Sequence, residues 1–336
     1  MMECYRLNAI LYGLIADALC GVGFFILNYE IHTQKGDFIM STNKKTVFTG
    51  AGVAIVTPFK NNEIDYDALG KIIDDQIARG TDAIVVCGTT GEASTLTDEE
   101  HVESIYYTVK RVAKRVPVIA GAGSNDTRYA IWLSREARRA GADALLQVTP
   151  YYNKATPKGL IKHFTAIADA TDIPNILYNV PSRTGCNITL PVYKELAKHP
   201  NIVATKEASG NLSAIAQIID ECGDDLDVYS GNDDQIVPIM SLGGKGVISV
   251  LSNVMPKETH DICKLYFDGK VKDSAALQVK LLELINNLFI EVNPIPVKTA
   301  MALMGYCNGE MRLPLCEMDE KNLGILKASM QKYGLI

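Results

Sequence analysis

From Gly52 onward the chain alternates between two hydrophobic rhythms. Short β-branched runs occupy 53–58, 83–87, 116–120, 144–149, 175–179, 202–206, 228–230 and 246–250. After each one, apolar positions recur at helical spacing, over 65–79, 98–115, 127–140, 157–170, 191–198, 212–222, 233–242 and 256–267. Strict strand–helix alternation predicts a parallel sheet, and eight such units predict an α/β fold closed into a (β/α)8 TIM barrel. Charge placement agrees: Asp98 and Glu99 open the second helix and Lys110, Arg111 and Lys114 crowd its end, as the helix dipole prefers. The alternative is an open doubly wound sheet. That fold wants a glycine-rich turn after its first strand, and Thr57-Pro58-Phe59 is not one.

Three further helical patterns, 273–289, 296–304 and 317–333, predict a C-terminal helical appendage. The expected organisation is therefore a barrel over 40–268 and a helical region over 269–336. Residues 1–39 do not match the rest. Positions 9–27 are nearly all apolar, as in a signal peptide or membrane anchor, but Asp17 interrupts them and only Arg6 supplies a preceding positive charge. Lys35-Gly36-Asp37 before Met40 is what a purine-rich ribosome-binding site spells when translated. We expect Met40 to be the start and 1–39 a non-native, over-extended reading frame. An intact mass of the native protein that includes Met1 would refute this.

The chain of 336 residues is 47% hydrophobic and 21% charged, enough apolar surface for a large core. Its net charge of −6, without a Lys/Arg-rich run, argues against nucleic acid as a partner. Eight scattered cysteines with no C-x-x-C suit reduced thiols in a cytosol, and five dispersed histidines without H-E-x-x-H argue against a metal site. The expectation is a cytoplasmic protein that binds neither membrane nor nucleic acid.

The candidate chemistry begins with a lysine inside an apolar strand, Ile202-Val203-Ala204-Thr205-Lys206-Glu207-Ala208. Alternation sends Ala204, Lys206 and Ala208 to one face, leaving room beside a long amine. Desolvation there lowers the amine's pKa, and a neutral amine can add to a ketone and form a Schiff base. Taken alone, such a lysine is equally a strand-end side chain whose head reaches water.

Catalytic groups of such barrels lie just past the C-terminal strand ends, and the other ends carry candidates as well. Gly88-Thr89-Thr90-Gly91-Glu92 follows the second strand, its glycines letting backbone N–H groups and hydroxyls converge on an anion, or simply making a tight turn. Thr149-Pro150-Tyr151-Tyr152-Asn153 follows the fourth, where one tyrosine is expected to pack and the other to donate a phenol, the alternative being packing at an interface. Tyr178 ends the fifth strand beside the lysine's strand, positioned to shuttle protons or to fill the core. Arg183, on the loop beyond, suits a carboxylate or solvent. Gly231 after the seventh strand permits close backbone approach, and Ile248 in the eighth is expected on the pocket wall.

These motifs, GTTGE (88–92), TPYYN (149–153), YNVPSRTG (178–185), KEASGN (206–211), GGKGVIS (243–249) and NPIPVK (293–298), resemble the pyruvate-dependent class I aldolases of the dihydrodipicolinate synthase and N-acetylneuraminate lyase superfamily, and most of all its dihydrodipicolinate synthase family. The resemblance runs from about Gly50 to the C-terminus. It implies that Lys206 forms an imine with pyruvate, whose enamine attacks L-aspartate 4-semialdehyde in lysine and diaminopimelate biosynthesis. No cofactor or metal is implied, because the imine cation is the electron sink. Tyr178 would transfer protons, relayed by Thr89 and by Tyr152, which would reach across a dimer interface within a homotetramer built as a dimer of dimers. Thr90 and the backbone of Ile248 would hold pyruvate, with Gly231 beside the site, and Arg183 would take the semialdehyde carboxylate. Sugar-acid lyases of the superfamily generally lack the arginine of S-R-T-G, which favours the synthase branch.

One departure concerns feedback. Lysine-inhibited members grip the effector's amino group with an acidic residue at the position of Tyr129, and Asp98 stands where a histidine often lies, while Asn125, His101 and Tyr151 remain. The resemblance therefore implies weak or absent inhibition by L-lysine. Two other readings stay open: a phosphate-binding barrel enzyme using Gly243-Gly244-Lys245-Gly246, and a non-catalytic small-molecule sensor on the same fold.

Overall fold

The computed structural model describes residues 44–336, together with the backbone of a separate antiparallel pairing of Ile31–Gln34 with Asp37–Met40. Apart from that pairing, the expectations for residues 1–39 lie outside the described residues. Asn43–Ile336 forms one compact unit.

Eight parallel strands close into a barrel: β1 (Gly50–Ala54), β2 (Ala83–Val86), β3 (Val118–Gly121), β4 (Ala144–Val148), β5 (Asn175–Asn179), β6 (Ile202–Glu207), β7 (Asp227–Ser230) and β8 (Gly246–Ser249). Each pairs with the next, and β8 returns to β1. The TIM barrel expected from the alternating pattern is therefore the observed fold. Eight helices follow the strands: α1 (Tyr66–Ala78), α2 (Asp98–Val112), α3 (Thr127–Ala140), α4 (Pro157–Ala168), α5 (Leu190–Leu196), α6 (Leu212–Cys222), α7 (Ile236–Ser241) and α8 (Pro256–Phe267). Their ends follow local chemistry. Thr97 and Glu100 form a reciprocal capping box at α2, and Gly141 ends α3 at φ 95°.

Alternation along each strand separates two cores. Ala54, Val85, Ile119, Leu146, Ile176, Ala204, Tyr229 and Ile248, one from each strand, belong to a single cluster that fills the barrel. The outward set, including Val53, Ile84, Val86, Ala120 and Leu145, joins Leu69, Ile72 and Ile73 of α1 and Leu133 of α3. Phe48, just before β1, stacks on Tyr229 at 4.3 Å and closes the lower end. Lys44 donates to the carbonyls of Ile202 and Ala197, tying the chain ahead of β1 to the start of β6.

The C-terminal helices α9 (Val271–Asn287), α10 (Ile295–Leu303) and α11 (Glu320–Lys332) do not carry a core of their own. Leu281, Leu284, Val297, Met301, Leu326 and Met330 belong to the same apolar cluster as α1 and α8. Among the described residues no helix is long and apolar enough to cross a membrane.

Candidate active site

Lys206 is the penultimate residue of β6 and lines a cavity of about 200 Å³, with Ala204 in the filling below and Ala208 on the cavity wall. It is 5% exposed and forms no salt bridge among the described residues. Its Nζ lies 4.4 Å from the ring centroid of Tyr178, its register partner on β5. Burial lowers the lysine's pKa to about 8; the charge of Asp233 pulls it up and that of Arg183 pushes it further down. A useful fraction of the amine is thus neutral near physiological pH.

Tyr178 is buried on the same wall. Burial raises the phenol's pKa, against the opposing pull of the Arg183 charge and of a hydrogen bond with Thr89. It therefore keeps its proton at neutrality and can donate it. Thr89 and Thr90 share the cavity and sit on a turn that the sequence builds tightly. The N–H groups of Gly91 and Glu92 donate to the carbonyls of Gly88 and Thr89 at 3.1 Å. The Thr57 hydroxyl donates to the Gly91 carbonyl at 2.7 Å, and a Cβ on Gly91 would come within 3.2 Å of both the Ile55 carbonyl and that hydroxyl.

Arg183, expected on an irregular loop, sits on a one-turn helix, Pro181–Thr184, begun by proline and ended by Gly185 at φ 65°. Four residues are too few to show a helical period. The guanidinium lines the cavity and donates from Nη2 to the Asn293 carbonyl at 3.0 Å. Gly231 is also on the wall, where a Cβ would meet Lys206 Cε at 3.1 Å and Ala208 Cβ at 2.7 Å. Only a glycine fits without displacing the lysine stem.

Two candidates fall elsewhere. The Ile248 side chain is fully buried in the barrel filling, and Val250, two residues on, is the cavity-lining residue. Tyr152 does not line the cavity of its own chain; it is 92% exposed, with φ 69°. Tyr151 is 40% exposed, so neither tyrosine of the pair is buried within its own chain. Gly243–Gly246 lies at the N-terminal end of β8, where the Lys245 carbonyl accepts from Gly50 N and a Cβ on Gly246 would lie 1.8 Å from the Gly50 carbonyl oxygen. Those glycines serve close strand packing at the end of the barrel away from Lys206, which removes the basis for a phosphate site there.

Several residues of the site were not assigned a role from sequence. Asn293 and Phe289 reach the cavity from the C-terminal region. Asp233 is buried beside the lysine, and its Oδ2 accepts from Val250 N at 3.0 Å and Leu251 N at 2.9 Å. Behind the threonine turn, Lys298 is fully buried and donates to Glu92 Oε1 at 2.5 Å, with its Nζ 4.0 Å from the Phe59 ring centroid. Arg312 covers the same ring and pairs with Glu100. A second lysine in an apolar run was the available signal for Lys298. Its carboxylate partner distinguishes it from Lys206, because a paired ammonium is not a nucleophile. Among the described residues no group of three or more His, Cys, Asp or Glu side chains is placed to hold a metal ion.

Residues 47–333 match the dihydrodipicolinate synthetase family. A protein of Lachnoclostridium phytofermentans named 4-hydroxy-tetrahydrodipicolinate synthase is 59% identical over 292 residues, covering 86% of this chain and 99% of that protein. One of the same name from Acetivibrio thermocellus is 57% identical over 293 residues, covering 87% and 100%. The crystal structure of a chloride-inhibited dihydrodipicolinate synthase from Acinetobacter baumannii, complexed with pyruvate, superposes with a TM-score of 0.85 at 43% identity, covering 87% of this chain and 100% of that one.

Proposed function

The chain belongs to the dihydrodipicolinate synthetase family, and from that premise we propose that it condenses pyruvate with L-aspartate 4-semialdehyde, the reaction of a 4-hydroxy-tetrahydrodipicolinate synthase in lysine and diaminopimelate biosynthesis. The observation that carries the reading is the buried amine of Lys206, lowered to about 8 and facing a small cavity beside Tyr178.

In this mechanism neutral Lys206 attacks the ketone carbon of pyruvate and water leaves, giving an iminium ion. Loss of a methyl proton gives the enamine, whose carbon adds to the aldehyde of the second substrate. That substrate's own amine then attacks the imine carbon, closing the ring and freeing Lys206. The positive nitrogen is the electron sink, so the chemistry requires no external cofactor. Tyr178 donates and accepts the protons, with Thr89 and Tyr152 as relay. Thr90 and its turn hold the pyruvate carboxylate, aided by the Ile248 backbone, and Arg183 takes the second carboxylate. The exposed phenol of Tyr152 supports a role in a neighbouring subunit's site, and with it a homotetramer arranged as a dimer of dimers.

Pyruvate and borohydride together should add a pyruvyl mass at Lys206, and aspartate semialdehyde should far outperform N-acetylmannosamine as acceptor. Absence of the adduct would return the sensor reading; preference for the sugar would return the lyase reading. The lysine-feedback expectation gains a physical reason as well. Where lysine-inhibited members present an acid, Tyr129 presents a neutral phenol, which donates to Asp98 Oδ1 at 2.6 Å. An effector ammonium would therefore meet no carboxylate at that position. Steady-state turnover is expected to be insensitive to L-lysine, and half-inhibition at submillimolar concentration would overturn this.

A further inference from the structure

Asn293 lies between α9 and α10 and is 5% exposed, yet it lines the cavity that holds Lys206. Both of its neighbours in the site are groups to which the proposed function gives a carboxylate. Its Nδ2 donates to Thr90 Oγ1 at 3.1 Å, and its main-chain carbonyl accepts from Arg183 Nη2 at 3.0 Å. The residue is therefore held twice, its carboxamide by Thr90 and its main chain by Arg183. The Lys298–Glu92 pair fixes the following helix to the threonine turn. The remaining polar atom, Oδ1, is buried and has no hydrogen-bond partner.

A rigidly held, bare acceptor on a cavity wall calls for a donor. Pyruvate has none, since its carboxylate and ketone both accept. In the second substrate the carboxylate and aldehyde also accept, and only the α-ammonium donates. That nitrogen shares a carbon with the carboxylate assigned to Arg183, whose guanidinium is bonded to Asn293 itself. We propose that Asn293 is a binding and specificity residue for the second substrate, its Oδ1 accepting a hydrogen bond from the α-amino group while Arg183 holds the adjacent carboxylate. The inference rests on the function proposed above and deepens it: the pair recognises the amino-acid end of an aldehyde. A neutral carboxamide also suits the later step. A carboxylate would stabilise the protonated amine, whereas ring closure needs the nitrogen free of its extra proton.

The test compares aspartate semialdehyde with succinic semialdehyde, which keeps the aldehyde and carboxylate and lacks the nitrogen, so it binds but cannot close the ring. At saturating pyruvate, Asn293→Ala should raise KM for aspartate semialdehyde about tenfold and Ki for succinic semialdehyde no more than about twofold. Asn293→Asp retains an acceptor and should keep the ratio of the two constants within about twofold of wild type, while kcat falls. Equal rises in both constants would mean that Asn293 acts only through Arg183 and Thr90, and the proposal falls; it falls too if neither constant moves. If the alanine variant does not fold, the aspartate variant decides, and a ratio raised about tenfold overturns the proposal. Borohydride trapping of pyruvate in each protein separates the failures. No adduct in wild type sinks the proposed function, whereas normal adducts with unchanged discrimination sink only the role of Asn293.

Discussion

Replacing Lys206 by alanine or by arginine is expected to lower turnover by at least about 10⁴-fold, because the covalent route disappears entirely. The two substitutions remove different things. Alanine removes the side chain, whereas arginine keeps a buried cation that never deprotonates and so cannot attack a ketone. Loss in both isolates nucleophilicity from charge. Neither variant should retain a borohydride-trapped pyruvyl adduct. Wild type should also show a pH signature. The reactive form is the unprotonated amine, and burial sets its pKa at about 8. The trapping rate at subsaturating pyruvate should rise about tenfold per unit at low pH and level off above 8, whereas an ordinary lysine would keep climbing to about pH 10.4. A trapping rate that does not level off, or an alanine variant that turns over normally, would refute the assignment.

Tyr178→Phe is the second large effect, expected to reduce kcat by about 10²- to 10³-fold, the range of a positioned proton donor. Only the hydroxyl leaves. The ring that packs 4.4 Å from Lys206 Nζ stays, so the lysine's burial, and hence its lowered pKa, should persist. The pyruvate adduct should still form in this variant, more slowly, while the overall reaction nearly stops. A kcat within about threefold of wild type would remove the phenol from the proton-transfer role.

Much of the barrel was legible because strand identity and strand burial coincide in a parallel sheet. β5, α3, α6 and α8 keep their expected bounds to the residue. At two places where a boundary moved, a long-range contact accompanies the change. The apolar run expected as the first strand extends to residue 58, but β1 ends at Ala54. Ile55 N still bonds the Val85 carbonyl, and Val56 N then turns to the side chain of Asn253. The helix expected from Asp233 begins as a 3-10 turn, Asp233–Gln235, and its α-helical part starts at Ile236. The Asp233 carboxylate is bonded to the turn after β8 instead of capping its own helix.

In the site, strand alternation was enough to bring Lys206 and Ala208 to one wall, and the resemblance supplied roles for the rest. Asn293 and Glu92–Lys298 carried no local signal of their pairing, although the apolar run around Lys298 marked that lysine. Their partners lie 203 and 206 residues away, and periodicity says nothing about such pairings. The side chain of Ile248, as distinct from the backbone to which the resemblance gives a role, shows the opposite failure. Its strand position was right, but the height at which filling gives way to cavity depends on neighbouring side chains.

Because Asn293 reaches the cavity, and Lys298 the threonine turn behind it, only after α9, the length of that helix is itself a functional quantity. One residue gained or lost within it would rotate everything downstream by about 100° and advance it by about 1.5 Å, swinging the asparagine out of reach of Thr90. Its solvent side can tolerate many letters, as exposed Val279 and Leu282 suggest. What descent must transmit without error is the tally of turns.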